Sequence, residues 1–213
     1  MSVTGIVLCG GQNRRFGRNK ATETVGGQTL IERVLDRLAP LAERSLVIVS
    51  SAKANLPVAG KAELVADLSP GTGPLGGIYT GLSRAATPLS ILVACDMPFL
   101  STDLLRHMVD VSEGFDAVIP RLEGGFVEPL HAVYSQTCLP KLKTRLERAE
   151  LAITPLLKEL RVRYVERDEY SRYDPDELSF FNINSPADLD RARLLAARPG
   201  VASLHNDTPR PGT

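Results

Sequence analysis

Across its 213 residues the chain has no tryptophan, three histidines and three cysteines, and aromatic residues make up only 5% of it. Each scarcity closes off a class of protein. Cys9, Cys95 and Cys138 lie far apart with no C-x-x-C pair, which excludes a disulfide frame or a zinc site and predicts buried, reduced thiols. H-E-x-x-H, G-x-S-x-G and any Cys/His couple are also missing, so the signatures of zinc hydrolysis and of an activated serine or cysteine nucleophile are not there. Charge of one sign is not in excess either: 25 basic residues meet 25 acidic ones, so bulk attraction to nucleic acid or to an anionic membrane is not indicated. No apolar run approaches the roughly 20 residues that span a bilayer, and no leader pattern opens the chain. These absences predict a soluble, cytoplasmic protein. Without internal repeats or a linker, residues 1–197 read as one domain. Residues 198–213, dominated by Pro, Gly, Ser, Asn and Thr, read as a disordered tail.

What is present is concentrated at the start. Ile6, Val7 and Leu8 form a short apolar run that stops at Cys9-Gly10-Gly11, and Arg14, Arg15, Arg18 and Lys20 come next, before the first acidic residue, Glu23. A buried strand, a glycine bend and then clustered positive charge is how α/β proteins hold a polyphosphate, with bare backbone N–H groups brought up to the ligand. Two better-known loops do not fit. A Walker loop needs Gly, four residues, then Gly-Lys-Ser/Thr, whereas five residues separate Gly11 from Gly17 and Arg18 stands where the lysine would be. The adjacent glycines also break the G-x-G-x-x-G spacing of a dinucleotide site. The plain alternative is a tight strand-to-helix turn with solvated arginines.

Along the chain, Thr29-Leu30-Ile31-Glu32 reads as a capping box, with Leu30, Val34, Leu35 and Leu38 at helical spacing. Residues 45–51 and 64–66 read as buried strands, the latter ending at Asp67. The glycine-rich stretch 69–77 reads as a loop before a helix from Ile78. Residues 90–95 are the clearest strand and end in Asp96-Met97-Pro98. Ser101 or Thr102 caps a helix; residues 116–120 form another strand; Glu128 to Tyr134 come after a Gly124-Gly125 turn. Ser135 caps a helix to about Ala149, 162–166 is a strand, 170–177 is a polar loop, and Ser185-Pro186 opens a last helix to about Ala197. Alternating strands and helices predict a three-layer α/β fold, a mostly parallel sheet with helices on both faces. Ligands in such sheets lie beyond the carboxyl ends of the strands, where Gly10, Gly11, Asp67, Asp96 and Asn182 are expected to collect.

Asp96 is the sharpest candidate. A carboxylate at the end of a buried apolar run is costly without a partner, and Mg2+ held jointly with phosphate oxygens would provide one; the alternative is a turn aspartate before Pro98. Lys20 could reach phosphates as a mobile point charge, or sit solvated at a helix start. Gly73 to Gly77, including Gly76, could let amides approach a base or ribose. Glu128 and His131, three apart on an expected strand, would face opposite ways and so are not a metal pair. The lack of a general base has a consequence of its own: a phosphate nucleophile, already ionised, needs only positioning and charge neutralisation.

Five segments together carry a resemblance. "VLCGGQNRRFGRNKA" resembles the L-A-G-G-x-S-x-R-M-G-x-x-K signature of nucleotidyltransferases. "GPLGGI", "CDMPFL", "EPLHAVY" and "FFNINSPADL" succeed it in the order found in the molybdenum cofactor guanylyltransferases. The similarity runs from residue 3 to about 195. It implies the Rossmann-like nucleotidyltransferase fold and transfer of GMP from GTP to molybdenum-bound molybdopterin, with Mg2+ and release of pyrophosphate. Transient contact with proteins that deliver or accept the cofactor goes with it. By position it implies that Leu8, Cys9, Gly10, Gly11 and Gly17 surround the nucleotide phosphates, with Lys20 and Arg15 as their cations. Asp67 would contact GTP and Asp96 would hold the metal, while Glu128, His131, Asn182 and Asn184 lie on the molybdopterin side. Cys9, Asn13, Phe16 and Asn19 depart from the usual Ala, Ser, Met and Asp. The second glycine of "CGG" favours guanylyl over cytidylyl transfer. A cytidylyltransferase on the same cofactor, a sugar-phosphate nucleotidyltransferase and a non-catalytic nucleotide-binding partner stay open as alternatives.

Overall fold

A computed structural model describes residues 2–10, 19–50 and 56–198. Gly11, Arg14, Arg15, Gly17 and Arg18 from the front loop, and residues 199–213 of the expected tail, lie outside the described residues.

The apolar opening forms β1 (Val3–Cys9), which pairs in parallel with β4 (Arg44–Val49) on one side and β6 (Leu89–Ala94) on the other. A strand flanked on both edges and covered on both faces has no polar side, which is why these three read as near-continuous hydrophobic runs. Beyond β4 lies β5 (Glu63–Ala66). Beyond β6 come β8 (His131–Ser135), β7 (Ala117–Pro120) and β9 (Val162–Val165), giving the order β5-β4-β1-β6-β8-β7-β9. Only β8 runs antiparallel to its neighbours in this sheet. Side chains alternate across it. Val7, Val47 and Val93 meet α1 (Leu30–Leu38) and α3 (Thr102–Asp110), whereas Ile6, Leu46 and Leu92 meet α2 (Gly73–Arg84), α4 (Leu139–Glu147) and α5 (Ile153–Leu157). The three-layer α/β expectation holds.

Local signals explain most helix starts. Thr29 accepts the Glu32 N–H while the Glu32 carboxylate accepts the Thr29 N–H, closing the capping box ahead of α1. Ser101 caps α3, and Ser185 with Pro186 opens α7 (Pro186–Ala196). Several elements differ from the sequence reading. The helix expected from Ile78 begins at Gly73, so most of the expected glycine loop is helix, and Gly76, Gly77 and Gly81 are buried in it. A hairpin, β2 (Thr24–Val25) and β3 (Gln28–Thr29), was not anticipated; Gly26 and Gly27 turn it with φ of +59° and +83°, the left-handed pair such a turn demands. After Ser135 a 3-10 turn precedes α4, with Pro140 in its first turn. The segment before residue 170 is the short α6 (Arg167–Tyr170). Asn182 comes after a 3-10 turn (Leu178–Phe180) and does not end a strand as expected. α7 folds back on the β2–β3 hairpin, burying Val25, Leu30, Phe99, Ile183 and Leu189 together.

Candidate active site

Because β1 and β6 are parallel neighbours, the residues after each strand emerge at the same sheet edge. Gly10 comes directly after β1 and Asp96 two residues after β6, with the Cys95 N–H donating to the Leu8 carbonyl at 3.1 Å to extend the ladder. Gly10 does not take the positive φ expected of it, and a Cβ built there meets nothing within 4 Å. Its use is therefore the open approach to the backbone rather than an otherwise forbidden turn.

Lys20 brings the front segment back to this edge. Asn19 caps its 3-10 turn by accepting the Ala21 N–H at 3.1 Å, which accounts for the asparagine at that position. The Lys20 ammonium donates to Asp96 Oδ2 at 2.7 Å and to the Ile183 carbonyl at 2.5 Å. The two side chains are 14% and 19% exposed, so the pair is shielded well beyond an ordinary surface ion pair. The Ile183 N–H donates in turn to the Asp96 carbonyl at 3.0 Å. Three segments distant in sequence are tied at one point.

Glu128 and Asn182 stand beside it. Burial pushes the Glu128 carboxyl above its ordinary range and the Asp96 charge adds to this, against hydrogen bonds from the Leu130 N–H and the Asn182 side chain. Asn182 also donates to the Phe180 carbonyl at 3.3 Å. Glu128 precedes β8, in a turn closed by the His131 N–H donating to the Glu128 carbonyl, so the strand geometry expected of the Glu128/His131 spacing does not apply. His131 itself has no exposed surface. Its ring lies edge-on to Phe180, and burial lowers its pKa to about 4, so it is neutral. It therefore does not line the crevice, contrary to its expected place on the molybdopterin side. Asn184 is exposed at the start of α7, its N–H donating to Asp188.

Asp67 comes directly after β5, three strands from β6, which at strand spacing is about 14 Å across the sheet. Its Oδ1 accepts the Thr80 hydroxyl at 2.7 Å and the Ser69 N–H at 3.0 Å. Leu8 packs on α2, where a Cβ at Gly77 would come within 3.1 Å of it; a Cβ at Gly76 would lie 2.8 Å from the Ser69 carbonyl. Gly76 thus packs the α2 start against the Asp67 turn. Two contributors have no signature in the sequence. Thr80, inside a helix, carried no pattern to flag it. The Ile183 carbonyl is a backbone group that no side-chain motif reports.

Among the described residues no group of three or more His, Cys, Asp and Glu side chains is placed to hold a metal. A divalent ion here would rest on the Asp96 carboxylate with phosphate and water oxygens, the usual manner of Mg2+. The same carboxylate already holds a cation, the Lys20 ammonium, so the donor chemistry fits.

A lysine, a shielded carboxylate and open glycine backbone gather at the carboxyl edge of a mostly parallel sheet, the edge where α/β proteins of this architecture take their ligands. The family model of the MobA-like NTP transferase domain matches residues 5–164, and the chain belongs to that family. It is 36% identical to a probable molybdenum cofactor guanylyltransferase of Pelotomaculum thermopropionicum, with 92% of this chain and 94% of that one covered. Identity to a molybdenum cofactor guanylyltransferase of Desulfosudis oleivorans is 35%, covering 90% and 94%. Among solved structures, molybdopterin-guanine dinucleotide biosynthesis protein A of Archaeoglobus fulgidus superimposes with a TM-score of 0.79 at 31% identity, covering 91% of this chain and 98% of that one. A Thermus thermophilus 2-C-methyl-D-erythritol 4-phosphate cytidylyltransferase shares the fold at TM-score 0.70 and 22% identity, covering 92% and 99%.

Proposed function

We propose that this chain is a cytoplasmic nucleotidyltransferase that moves GMP from GTP onto the terminal phosphate of the molybdenum-bound molybdopterin cofactor. The observation that carries the reading is the Lys20–Asp96 pair at the open backbone of Gly10, in a family whose named relatives are guanylyltransferases. The cofactor phosphate attacks the α-phosphorus of GTP, the bond to the bridging oxygen breaks, and pyrophosphate leaves. Because the attacking oxygen is already ionised, no general base is required, which suits a site beside which His131 is buried. The backbone beyond β1 and the Lys20 ammonium bind the triphosphate and offset charge on the departing pyrophosphate. Arg15 and Gly17 join them on the strength of their motif. Asp96 would hold Mg2+, which supplies Lewis-acid charge at the α-phosphate when bound. Asp67 orients the nucleoside, and Glu128, Asn182 and Asn184 face the incoming cofactor, with its delivering and accepting proteins docking on that side. Among the described residues no helix is long and apolar enough to cross a membrane.

Titration with GTP, CTP and ATP, each with and without Mg2+, tests the nucleotide and the metal together; GTP is expected to bind best, and tightly only with the cation. Asp96→Ala should cut pyrophosphate release by about 100-fold or more while the unfolding midpoint stays near that of the parent protein. Turnover retained in that variant sinks the assignment.

A further inference from the structure

Two of the three cysteines meet at this edge. Leu8 of β1 is in register with Ala94 of β6, and the Cys95 N–H donates to the Leu8 carbonyl, so Cys9 and Cys95 are the next facing pair. Neighbouring strands run about 4.8 Å apart, inside the span of about 4.4–6.8 Å between Cα atoms that a disulfide bridges. Both residues are free thiols and half-buried, whereas Cys138 has no exposed surface. Cys9 immediately precedes Gly10, and Cys95 immediately precedes Asp96.

We propose that Cys9 and Cys95 form a dithiol modification site, oxidised by hydroperoxides to a disulfide that shuts the nucleotide crevice. One thiol attacks a peroxide oxygen, the O–O bond breaks, and a sulfenic acid and one water (or alcohol) result. The second thiol then attacks that sulfur, the S–S bond forms, and a second water leaves. Each sulfur loses one electron, and the peroxide gains two. The bond would tie the residue before the open backbone to the residue before the cation-holding carboxylate. Neither could then adjust to a triphosphate. This consequence rests on the proposed nucleotide reading; the bond itself does not.

The full-length protein is treated with hydrogen peroxide, free thiols are alkylated, and peptides are mapped by mass without reduction. A Cys9–Cys95 cross-linked peptide is expected, with Cys138 still alkylatable once the protein is unfolded. GTP binding by titration should weaken by about tenfold or more and return after dithiothreitol. Cys95→Ala, treated alike, should keep its untreated GTP affinity, and Cys138→Ser should still cross-link. Absence of the Cys9–Cys95 peptide overturns the proposal, as does a mapped cross-link that leaves GTP affinity unchanged. Reduced protein that binds no GTP defeats the nucleotide reading and the shut-off with it, while the mapped bond is judged separately.

Discussion

His131 is buried without the hydrogen-bond partners that a buried polar ring ordinarily has. Neither ring nitrogen has a hydrogen-bond partner, and the ring has no exposed surface. Its pKa is lowered from 6.5 to about 4 by burial. Below 6.5 the unfolded chain accepts a proton that the folded one refuses. The unfolded state therefore binds more protons, and stability falls as pH drops from about 6.5 to about 4, by at most about 3 kcal/mol. Asp116 titrates in a lower window. Burial pushes its carboxyl up, but the Arg161 N–H and guanidinium and the Thr137 hydroxyl outweigh that and hold it at about 2. Its contribution is therefore lost only below about 3.8. Glu128, shifted upward, partly offsets the His131 effect, since its folded form accepts a proton more readily. His131→Phe keeps an aromatic ring against Phe180 and removes both orphaned nitrogens. At pH 7 it should be neutral or stabilising by about 1–3 kcal/mol. Denaturant melts at pH 7 and at about pH 5 should show much less acid loss than in the parent protein, and an unchanged acid slope would refute the account.

At the scale of elements, α2 sits where it does because its glycines let it touch β1. A Cβ at Gly81 would lie 2.6 Å from Ile6 Cγ2 and 2.9 Å from Cδ1, whereas one at Gly77 would lie 3.1 Å from Leu8 Cδ2. Alanine gains about 1 kcal/mol of helix propensity over glycine, and overpacking a core costs about 1–3. For Gly81→Ala the clash wins, and a net loss of about 1–2 kcal/mol is expected in urea melts. For Gly77→Ala the two nearly cancel in stability. Leu8 has to shift, so GTP affinity should fall instead. The same helix shows what the sequence can and cannot disclose. β1, β4 and β6 were legible because strands covered on both faces must be apolar throughout, and Thr29/Glu32 was legible because a capping box is purely local. The start of α2 was not: Gly73-Pro74-Leu75-Gly76-Gly77 has poor helix propensity, and tertiary contact with β1 overrides it. The Gly26-Gly27 hairpin carried its turn signal openly, yet its two-residue strands are too short to show alternation. Asp96 and Lys20 could be singled out from their neighbours in sequence, but their mutual contact depends on where β6 and the Lys20 turn arrive in space.

For the molecule as a whole, the Lys20–Asp96–Ile183 junction joins the front segment, the central sheet and the chain entering α7. Without ligand the ammonium occupies the carboxylate and thereby competes with any divalent cation for it. A triphosphate offers Lys20 another anion, so phosphate binding would vacate Asp96 for the metal. Nucleotide and metal should then bind cooperatively, with a coupling of about 1–3 kcal/mol, and linkage requires each to tighten the other equally. Mn2+, tracked by paramagnetic resonance, can stand in for Mg2+. In the parent protein it should bind weakly alone and about tenfold tighter with GTP. Lys20→Ala removes the competing cation, so Mn2+ alone should bind several-fold tighter than to the parent protein, roughly what one half-buried pair contributes. GTP alone should bind that variant more weakly, and its effect on Mn2+ should shrink toward the direct contact between metal and phosphate. A variant that binds free Mn2+ no better than the parent protein would mean that Lys20 does not guard the carboxylate.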